Sequence, residues 1–283
     1  MIHIVTDSMS DISQQEAEAW GITVVPLSVR FGEEEYLDGV EMDDLTFFQR
    51  LSQVKELPKT SQVPPERFQT AFKRLLTSND DEILCITGSS GLSGTYQSAV
   101  LAREMSHQKE RIVIVDSFSA SIGEAMLVWE AIRCLSTAES AAQLAAHLEK
   151  LVERNHLIGC FEELKYLVMG GRLHAALGKV GTSLHIKPLL RMTDGKLHQV
   201  GFVRSLHKGR QWYLDRMKEC PPDPSFPIMI AGAMCDDEVA LVKEAIEASG
   251  IAPGAEILCR RIGAVIGTYV GPNMTTLAWV AKE

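Results

Sequence analysis

The first half of the chain alternates short apolar runs with segments of helical periodicity. Aliphatic runs predict strands at residues 2–5, 24–29, 83–87 and 112–115. Amphipathic segments predict helices at residues 13–20, 95–105 and 123–135, and Pro64-Pro65 opens a further helix. Strands that alternate with helices are typical of a parallel sheet with helical crossovers. We therefore expect an α/β fold in this half, with a mostly parallel sheet and flanking helices.

The second half is richer in strands. They are predicted at residues 157–161, 164–167, 186–192, 196–203, 228–231, 256–260 and 276–281, with a glycine-rich turn at 263–271. Asp194-Gly195, between two of these runs, is the strongest hairpin signal in the chain. A helix at 139–154 connects the halves. We expect two domains with an extensive interface, a parallel α/β domain at 1–150 and an α+β domain with antiparallel pairing at 151–283.

Charge and composition narrow the class of partner. A formal net charge of −9 argues against nucleic acid or an anionic membrane surface as the main partner. No apolar run approaches the ~20 residues that span a bilayer. We also expect no leader segment, because residues 1–5 run straight into Thr6 and Asp7. The six cysteines form no CxxC pair, and Cys85, Cys160 and Cys259 lie in apolar runs, which favours buried reduced thiols over disulfides or metal ligands. We expect a cytoplasmic protein with no stable membrane insertion, no metal and no cofactor.

Three of the predicted strands end in similar polar turns. These turns are Thr6-Asp7-Ser8, Thr87-Gly88-Ser89-Ser90 and Asp116-Ser117-Phe118-Ser119. In open α/β sheets the ligand crevice lies at the carboxyl ends of the strands. We therefore expect the site where these turns meet.

The segment from Thr87 to Ser98 is the most informative of the chain. Its glycines allow the backbone to approach a ligand closely, and N–H groups at the start of the following helix attract anions. Ser93, Gly94 and Thr95 are therefore candidates for holding a carboxylate or phosphate. The alternative is a plain strand-to-helix turn with Ser93 as the N-cap. The segment lacks the lysine of a P-loop and the spacing of a nucleophile elbow.

Three further segments carry polar groups at turns. Thr60 and Ser61 supply hydroxyls just before the helix that Pro64-Pro65 opens, where helix capping is the alternative role. Arg172 follows two glycines, and an arginine on such a turn pairs with an anion or with a carboxylate of a partner. The glycine-punctuated segment 262–272 places a polar side chain where it can reach a ligand.

Taken together, these segments resemble the DegV family, whose members bind fatty acids. The resemblance spans nearly the whole chain and rests on the order and combination of its motifs. They are Thr6-Asp7-Ser8, Pro26-Leu27-Ser28-Val29, Tyr36-Leu37-Asp38-Gly39, Lys59-Thr60-Ser61-Gln62, Gly91-Leu92-Ser93-Gly94-Thr95-Tyr96-Gln97-Ser98-Ala99, Val115-Asp116-Ser117, Gly170-Gly171-Arg172-Leu173, Val180-Gly181, Ile186-Lys187-Pro188-Leu189-Leu190, Asp194-Gly195, Ile262-Gly263, Ile266-Gly267 and Gly271-Pro272.

The resemblance implies a non-catalytic protein that holds one long-chain fatty acid in a buried pocket between its domains. The residues that it assigns to the fatty acid are Thr60, Ser61, Ser93, Gly94, Thr95 and Tyr269, and those toward a partner or a phosphate are Arg172 and Arg204. Thr60 and Ser93 are expected to meet the carboxylate. In relatives the protein is the acyl-carrying subunit of bacterial fatty acid kinase, and a separate ATP-binding subunit phosphorylates the bound carboxyl group. The expected partners are therefore a long-chain fatty acid and an ATP-dependent kinase subunit.

The chain departs from the family pattern at two places. The last motif of the family commonly reads Gly-x-His-x-Gly-Pro-Gly, whereas Tyr269 stands here for the histidine and Asn273 for the final glycine. Tyrosine donates a hydrogen bond but carries no positive charge at pH 7. The segment Ile230-Ala231-Gly232-Ala233 also lacks a histidine that relatives often carry. These departures are compatible with fatty acid binding, but they weaken the expectation that a kinase phosphorylates the bound fatty acid.

Two other functions are compatible with the sequence. Ser93 as a nucleophile would make the protein a lipid hydrolase or acyl transferase, and that chemistry needs a base. The histidines are scattered, His107, His147 and His156 lie where surface residues do, and none pairs with a carboxylate in a recognisable motif. The other alternative is a regulatory lipid sensor that has no kinase partner.

Overall fold

The structure is a computed structural model, and it describes residues 1–173 and 186–283. The motif Val180-Gly181, together with His174 and His185, lies outside the described residues. The strands of the first half are β1 (Ile2–Asp7), β2 (Thr23–Val25), β3 (Ser28–Phe31), β4 (Glu34–Leu37), β5 (Lys59–Ser61), β6 (Glu82–Thr87) and β7 (Ile112–Asp116). Its helices are α1 (Gln14–Trp20), α2 (Asp44–Leu51), α3 (Pro65–Leu75), α4 (Thr95–Glu104), α5 (Ile122–Cys134) and α6 (Ala141–Val152).

A four-stranded parallel sheet forms in the first half, which confirms the α/β prediction. Its strand order is β2-β1-β6-β7. The helices begin where local chemistry favours a start. Ser13 and Glu16 form a reciprocal capping box at α1, and Pro65 occupies the first position of α3. Because β1, β6 and β7 run parallel to one another, their carboxyl ends lie at the same edge of the sheet, together with the polar turns that follow them.

The predicted strand at 24–29 is wrong as a single strand. Pro26 divides it into β2 and β3, which belong to different sheets, because proline has no N–H to donate to a sheet. β3 pairs with β4 and β5 in a small antiparallel sheet, in which Val29 lies opposite Thr60. The segment around Thr60, expected as a loop before a helix, is therefore a strand.

The second half contains a six-stranded sheet. Its strands are β8 (Asn155–Cys160), β9 (Lys187–Thr193), β10 (Lys196–Val203), β11 (Ile228–Ala233), β12 (Ile257–Arg261) and β13 (Met274–Val280), and its helices are α7 (Lys165–Met169), α8 (Leu206–Glu219), α9 (Asp236–Ser249) and α10 (Ala264–Val270). The strand order is β10-β9-β8-β13-β11-β12, and every pair is antiparallel except β11 with β12. The predicted hairpin is confirmed, since Asp194 and Gly195 have φ of 49° and 71° between β9 and β10.

Two predictions in this half are wrong. The apolar run at 164–167 lies mostly in helix α7, because periodicity cannot separate a short buried strand from a short helix. The glycine-rich turn at 263–271 is helix α10. Its first N–H groups are satisfied by distant side chains, since Gly263 N donates to Asp11 (2.9 Å) and Ala264 N donates to Asp38 (3.0 Å). Such a cap is invisible to local sequence patterns.

One apolar core extends through both halves. Helix α5 is buried along most of its length and packs against β1 and β6 of the parallel sheet and against β8, β11 and β13 of the mixed sheet. The parallel sheet draws its strands from residues 2–116 and the mixed sheet from residues 155–280. We propose a domain boundary near residue 150. It separates the parallel sheet from the mixed sheet, although the two domains share one apolar core.

The cysteines are free thiols. Cys85 and Cys160 are buried as predicted, but the prediction for Cys259 is wrong. Cys259 is exposed because it lies on β12, which is an edge strand of the mixed sheet. Among helices in 1–173 and 186–283, none is long and apolar enough to cross a membrane.

Candidate ligand-binding site

A partly enclosed cavity lies between the turns at the carboxyl ends of the parallel sheet and the mixed sheet of the second half. Both halves of the chain supply its walls, which are mainly aliphatic. The apolar lining consists of Met9, Leu27, Leu92, Ala120, Leu157, Ile158, Phe161, Leu167, Leu190, Met192, Leu197, Ile262, Val265, Ile266, Val270 and Met274. Such a lining favours a ligand with a large apolar part.

Polar side chains meet at one part of this wall. The Thr60 hydroxyl lies 2.5 Å from the Tyr269 hydroxyl, although the two residues are 209 positions apart. The guanidinium of Arg172 stacks over the Tyr269 ring, 4.5 Å from its centroid. Ser93 also lines the cavity. Two hydroxyls, a phenol and a guanidinium thus face a cavity that is otherwise apolar, an arrangement suited to an anionic head group.

Short backbone segments hold these groups in place. Side chains alternate along β5, so Thr60 faces the cavity while its neighbour Ser61 is exposed. Arg172 donates to Leu92 O (3.1 Å) and to Gly170 O (2.7 Å). These bonds tie the turn after α7 to the loop that carries Ser93.

The loop between β6 and α4 differs in detail from the prediction. Ser93 precedes the N-cap, which is Gly94, and its hydroxyl accepts from Thr95 N (3.2 Å). The Ser93 and Thr95 hydroxyls are 2.9 Å apart, and Thr95 is fully buried behind Ser93. Thr95 and Gly94 therefore support Ser93 from outside the lining of the cavity.

The other predicted residues lie elsewhere. Arg204 is exposed at the end of β10, and neither it nor Ser61 is among the cavity-lining residues. The Tyr269 hydroxyl pairs with the Thr60 side chain. Within the described part of the chain, Thr95 is the hydrogen-bonding partner of the Ser93 hydroxyl, and no histidine contacts it.

Ser121 was missed by sequence reasoning. It lines the cavity with φ of 52°, and its hydroxyl donates to Asp11 (2.5 Å). A non-glycine residue with positive φ is strained and is often found at functional sites. The sequence feature nearest to Ser121 is the predicted polar turn at 116–119, which ends two residues before it.

Carboxyl groups are buried beneath this part of the cavity. Asp7 accepts from Met9 N (2.8 Å) and Gly88 N (3.0 Å), Asp38 caps α10, and the Thr6 hydroxyl donates to Glu124 (2.8 Å). Burial raises the pKa of Asp7 to about 7 and that of Asp38 to about 6. Burial, and then the nearby Asp7 charge, raise the pKa of Glu124 well above its usual value. The motifs that contain Asp7 and Asp38 thus stabilise the backbone beneath the site.

We expect this cluster to make stability depend on pH near neutrality. An acid whose pKa is raised in the folded state takes up a proton on folding at every pH between its unfolded and folded pKa values, so stability is lost as pH rises up to and through the folded pKa. The free energy of unfolding should be about 1–2 kcal/mol higher at pH 6.5 than at pH 8, since each proton contributes about 1.4 kcal/mol per pH unit. Urea denaturation at both pH values measures it. Burial also raises the pKa of Asp11 to about 8, despite its hydrogen bonds from Ser121 and Gly263 and the charge of Arg260, so Asp11 adds to the effect.

Two isosteric variants separate the contributing groups. Asp7→Asn and Glu124→Gln each remove a carboxyl that holds a proton in the folded chain and is ionised in the unfolded one, so each should flatten the pH dependence. Asp81→Asn is the control, because the pKa of Asp81 is lowered to about 2 and its carboxylate is ionised in both states across the window, so the slope should stay unchanged. Equal stability of the unmodified protein at pH 6.5 and 8 would contradict the prediction.

The fold and the site define a class of protein, an α/β binding protein with an interior apolar cavity and a polar cluster at its wall. A family model described as an uncharacterised protein of the DegV family matches residues 1–282. The chain belongs to the DegV family. A DegV domain-containing protein of Caldanaerobacter subterraneus subsp. tengcongensis is 36% identical over 275 residues, which cover 96% of each chain.

Solved structures resemble this one over their whole length. A DegV family protein from Thermus thermophilus, described with fatty acid binding, has a TM-score of 0.89 and 31% identity, with 99% of each chain covered. The fatty acid kinase (Fak) B3 protein of Streptococcus pneumoniae, loaded with linoleic acid, has a TM-score of 0.87 and covers 100% of each chain. Its 19% identity makes this second likeness one of fold alone.

Proposed function

We propose that the protein binds one long-chain fatty acid, with the acyl tail in the cavity and the carboxylate at Thr60, Ser93, Tyr269 and Arg172. The observation that carries the proposal is the cavity wall where these polar groups meet aliphatic side chains from both halves of the chain. Fatty acid binding by the Thermus thermophilus relative supports the same ligand class.

The energetics favour such a ligand. Burial of an acyl tail contributes ~0.8 kcal/mol per methylene, or on the order of 12 kcal/mol for ~15 methylenes. Association and ordering oppose binding by roughly 4–15 kcal/mol. The head group adds hydrogen bonds to a charged acceptor, each worth about 1.5–3 kcal/mol. Binding therefore needs no covalent step.

Native mass spectrometry of gently purified protein tests this function. We expect a mass increment that matches one long-chain fatty acid and is released on denaturation. Recovery of ligand-free protein that binds neither oleate nor palmitate would overturn the proposal.

The hydroxyl of Tyr269 should contribute to affinity. Tyr269→Phe removes the hydroxyl that faces Thr60, so fatty acid affinity should fall by about 1.5–3 kcal/mol, or roughly 10- to 150-fold. Isothermal titration with oleate measures it. Tyr36→Phe is a matched control, because the Tyr36 hydroxyl pairs with Arg50 (2.8 Å) and does not line the cavity. Equal affinities of the two variants would remove Tyr269 from the head-group site.

Ser93→Ala tests both the head-group role and the alternative of an enzyme. We expect affinity to fall by about 1–3 kcal/mol with an unchanged melting temperature, because a donor is lost from an ordered loop. Ser90→Ala, in the same loop but exposed and outside the lining, should bind like the parent. Turnover of an acyl ester that disappears in Ser93→Ala would instead establish the enzyme.

We propose further that the bound carboxylate is presented to an ATP-dependent fatty acid kinase, and that this chain does not perform the chemistry. The DegV fold shared with the Streptococcus pneumoniae protein supports this role, as does the exposed position of Arg204. Incubation of the loaded protein with such a kinase and ATP should yield acyl phosphate. Tyr269→His should raise the yield if a histidine serves the phosphoryl transfer. No acyl phosphate from either form would favour a lipid sensor.

A further inference from the structure

Helices α5 and α6 bring a glutamate, a cysteine and a histidine together, away from the cavity. Glu130 and Cys134 are four residues apart on α5 and therefore lie on the same face of the helix. His147 reaches them from α6, where it lies at the surface as expected, and its imidazole pairs with Glu130. One ligand atom from each of the three residues lies within 4.8 Å of the other two.

The three donor atoms are close enough for one metal ion to bridge, although Glu130 Oε1 and His147 Nε2 lie closer together than a bound zinc ion would hold them. Glu130 Oε1 is 2.6 Å from His147 Nε2 and 3.2 Å from Cys134 Sγ. Zinc bonds of about 2.0–2.3 Å in a tetrahedron separate donor atoms by roughly 3.3–3.8 Å. A small outward movement of the imidazole, which is half-exposed, opens the site to that size. The buried glutamate forms the fixed inner wall of the site, and the histidine provides the way in from solvent.

The surroundings of Glu130 complete the arrangement. Arg133 Nε donates to the other carboxylate oxygen, Oε2, at 2.7 Å, and this bond can persist while Oε1 binds a metal. Arg133 also donates to Oε1 at 2.8 Å, and this contact must be exchanged for the metal. The guanidinium lies over the rings of Trp129 and Phe226, which hold it beside the site. Metal-binding carboxylates are commonly oriented by such outer hydrogen bonds.

We propose that Glu130, Cys134 and His147 form a zinc site, with Glu130 Oε1, Cys134 Sγ and His147 Nε2 as ligands and water in the fourth position. Sulfur, nitrogen and oxygen donors in a set of three are typical of zinc sites that keep an open coordination position. Binding releases the thiol proton of Cys134 to solvent, and no electron is transferred. The ion would join the end of α5 to α6 and stabilise the folded chain, since it binds the native arrangement.

Metal titration of the full-length protein tests the proposal. After chelator treatment and dialysis, Zn²⁺ alone should bind at one equivalent in competition with a chromophoric chelator. Co²⁺ alone should give the near-ultraviolet charge-transfer band of a cobalt–thiolate bond. Cys134→Ser and His147→Gln should each weaken Zn²⁺ binding by about 100-fold or more, because loss of an outer-shell group alone costs about 10- to 100-fold.

Cys259→Ser is the matched control, since Cys259 is the exposed thiol and the more accessible one for adventitious binding. It should leave both the Zn²⁺ affinity and the cobalt spectrum unchanged. If Cys134→Ser fails to fold, His147→Gln at its half-exposed position decides the question. A cobalt spectrum without the thiolate band, or either folded ligand variant binding Zn²⁺ as tightly as the parent, would overturn the site. Neither result depends on fatty acid binding.

Discussion

Gly271→Ala should lower the free energy of unfolding by about 3 kcal/mol or more. Gly271 has φ of 68° and ψ of −175°, a region that essentially glycine alone occupies and that costs other residues about 1–3 kcal/mol. An added Cβ would also lie 2.2 Å from Cε2 of the Tyr166 ring. Because Gly271 follows α10 directly, relief of this clash would move the helix end that carries Tyr269. Urea denaturation at fixed pH measures the loss.

Gly250→Ala isolates the part of this effect that is due to backbone strain. Gly250 has φ of 65° at the end of α9, and an added Cβ meets no atom within 4 Å. Its substitution should cost about 1–2 kcal/mol, the usual penalty of the left-handed region. If Gly271→Ala were no more destabilising than Gly250→Ala, the contact with Tyr166 would not constrain this turn.

Leu190→Phe should convert the protein into one that prefers shorter fatty acids. Leu190 is fully buried on β9 and lines the cavity, so a larger side chain occupies space that we assign to the acyl tail. Exclusion of three to four methylenes at ~0.8 kcal/mol each would cost about 3 kcal/mol, or roughly 100-fold in affinity for an 18-carbon acid. A shorter acid should bind with nearly unchanged affinity. Titration with a series of chain lengths measures the shift.

Leu189→Phe is the control from the opposite face of the same strand. Leu189 packs in a second apolar cluster, with Tyr213 and Met217, and does not line the cavity. Overpacking there should lower stability by about 1–3 kcal/mol without changing the preference for chain length. Equal weakening of long and short acids by Leu190→Phe would mean that β9 does not bound the tail.

The sequence by itself determined the elements whose causes are local. The apolar runs of β1, β6 and β7, the proline that opens α3 and the Asp194-Gly195 hairpin are each specified by neighbouring residues, and each is present in the structure. The order of motifs along the chain also determined the family. Periodicity, turn chemistry and capping act over a few residues, so a linear reading captures them.

The tertiary structure alone decided the elements and contacts whose causes are distant. Helix α10 reads as a glycine-rich turn until Asp11 and Asp38 cap its first N–H groups from the other half of the chain. The pairing of Thr60 with Tyr269 and the walls around Leu190 likewise arise only when the two halves of the chain pack against each other. His147 is the surface residue that the sequence indicates, but its pairing with Glu130 follows only from the packing of α6 against α5. In each case the partner lies many residues away, and a hydrogen bond or packing contact depends on distance in space, which spacing along the chain does not encode.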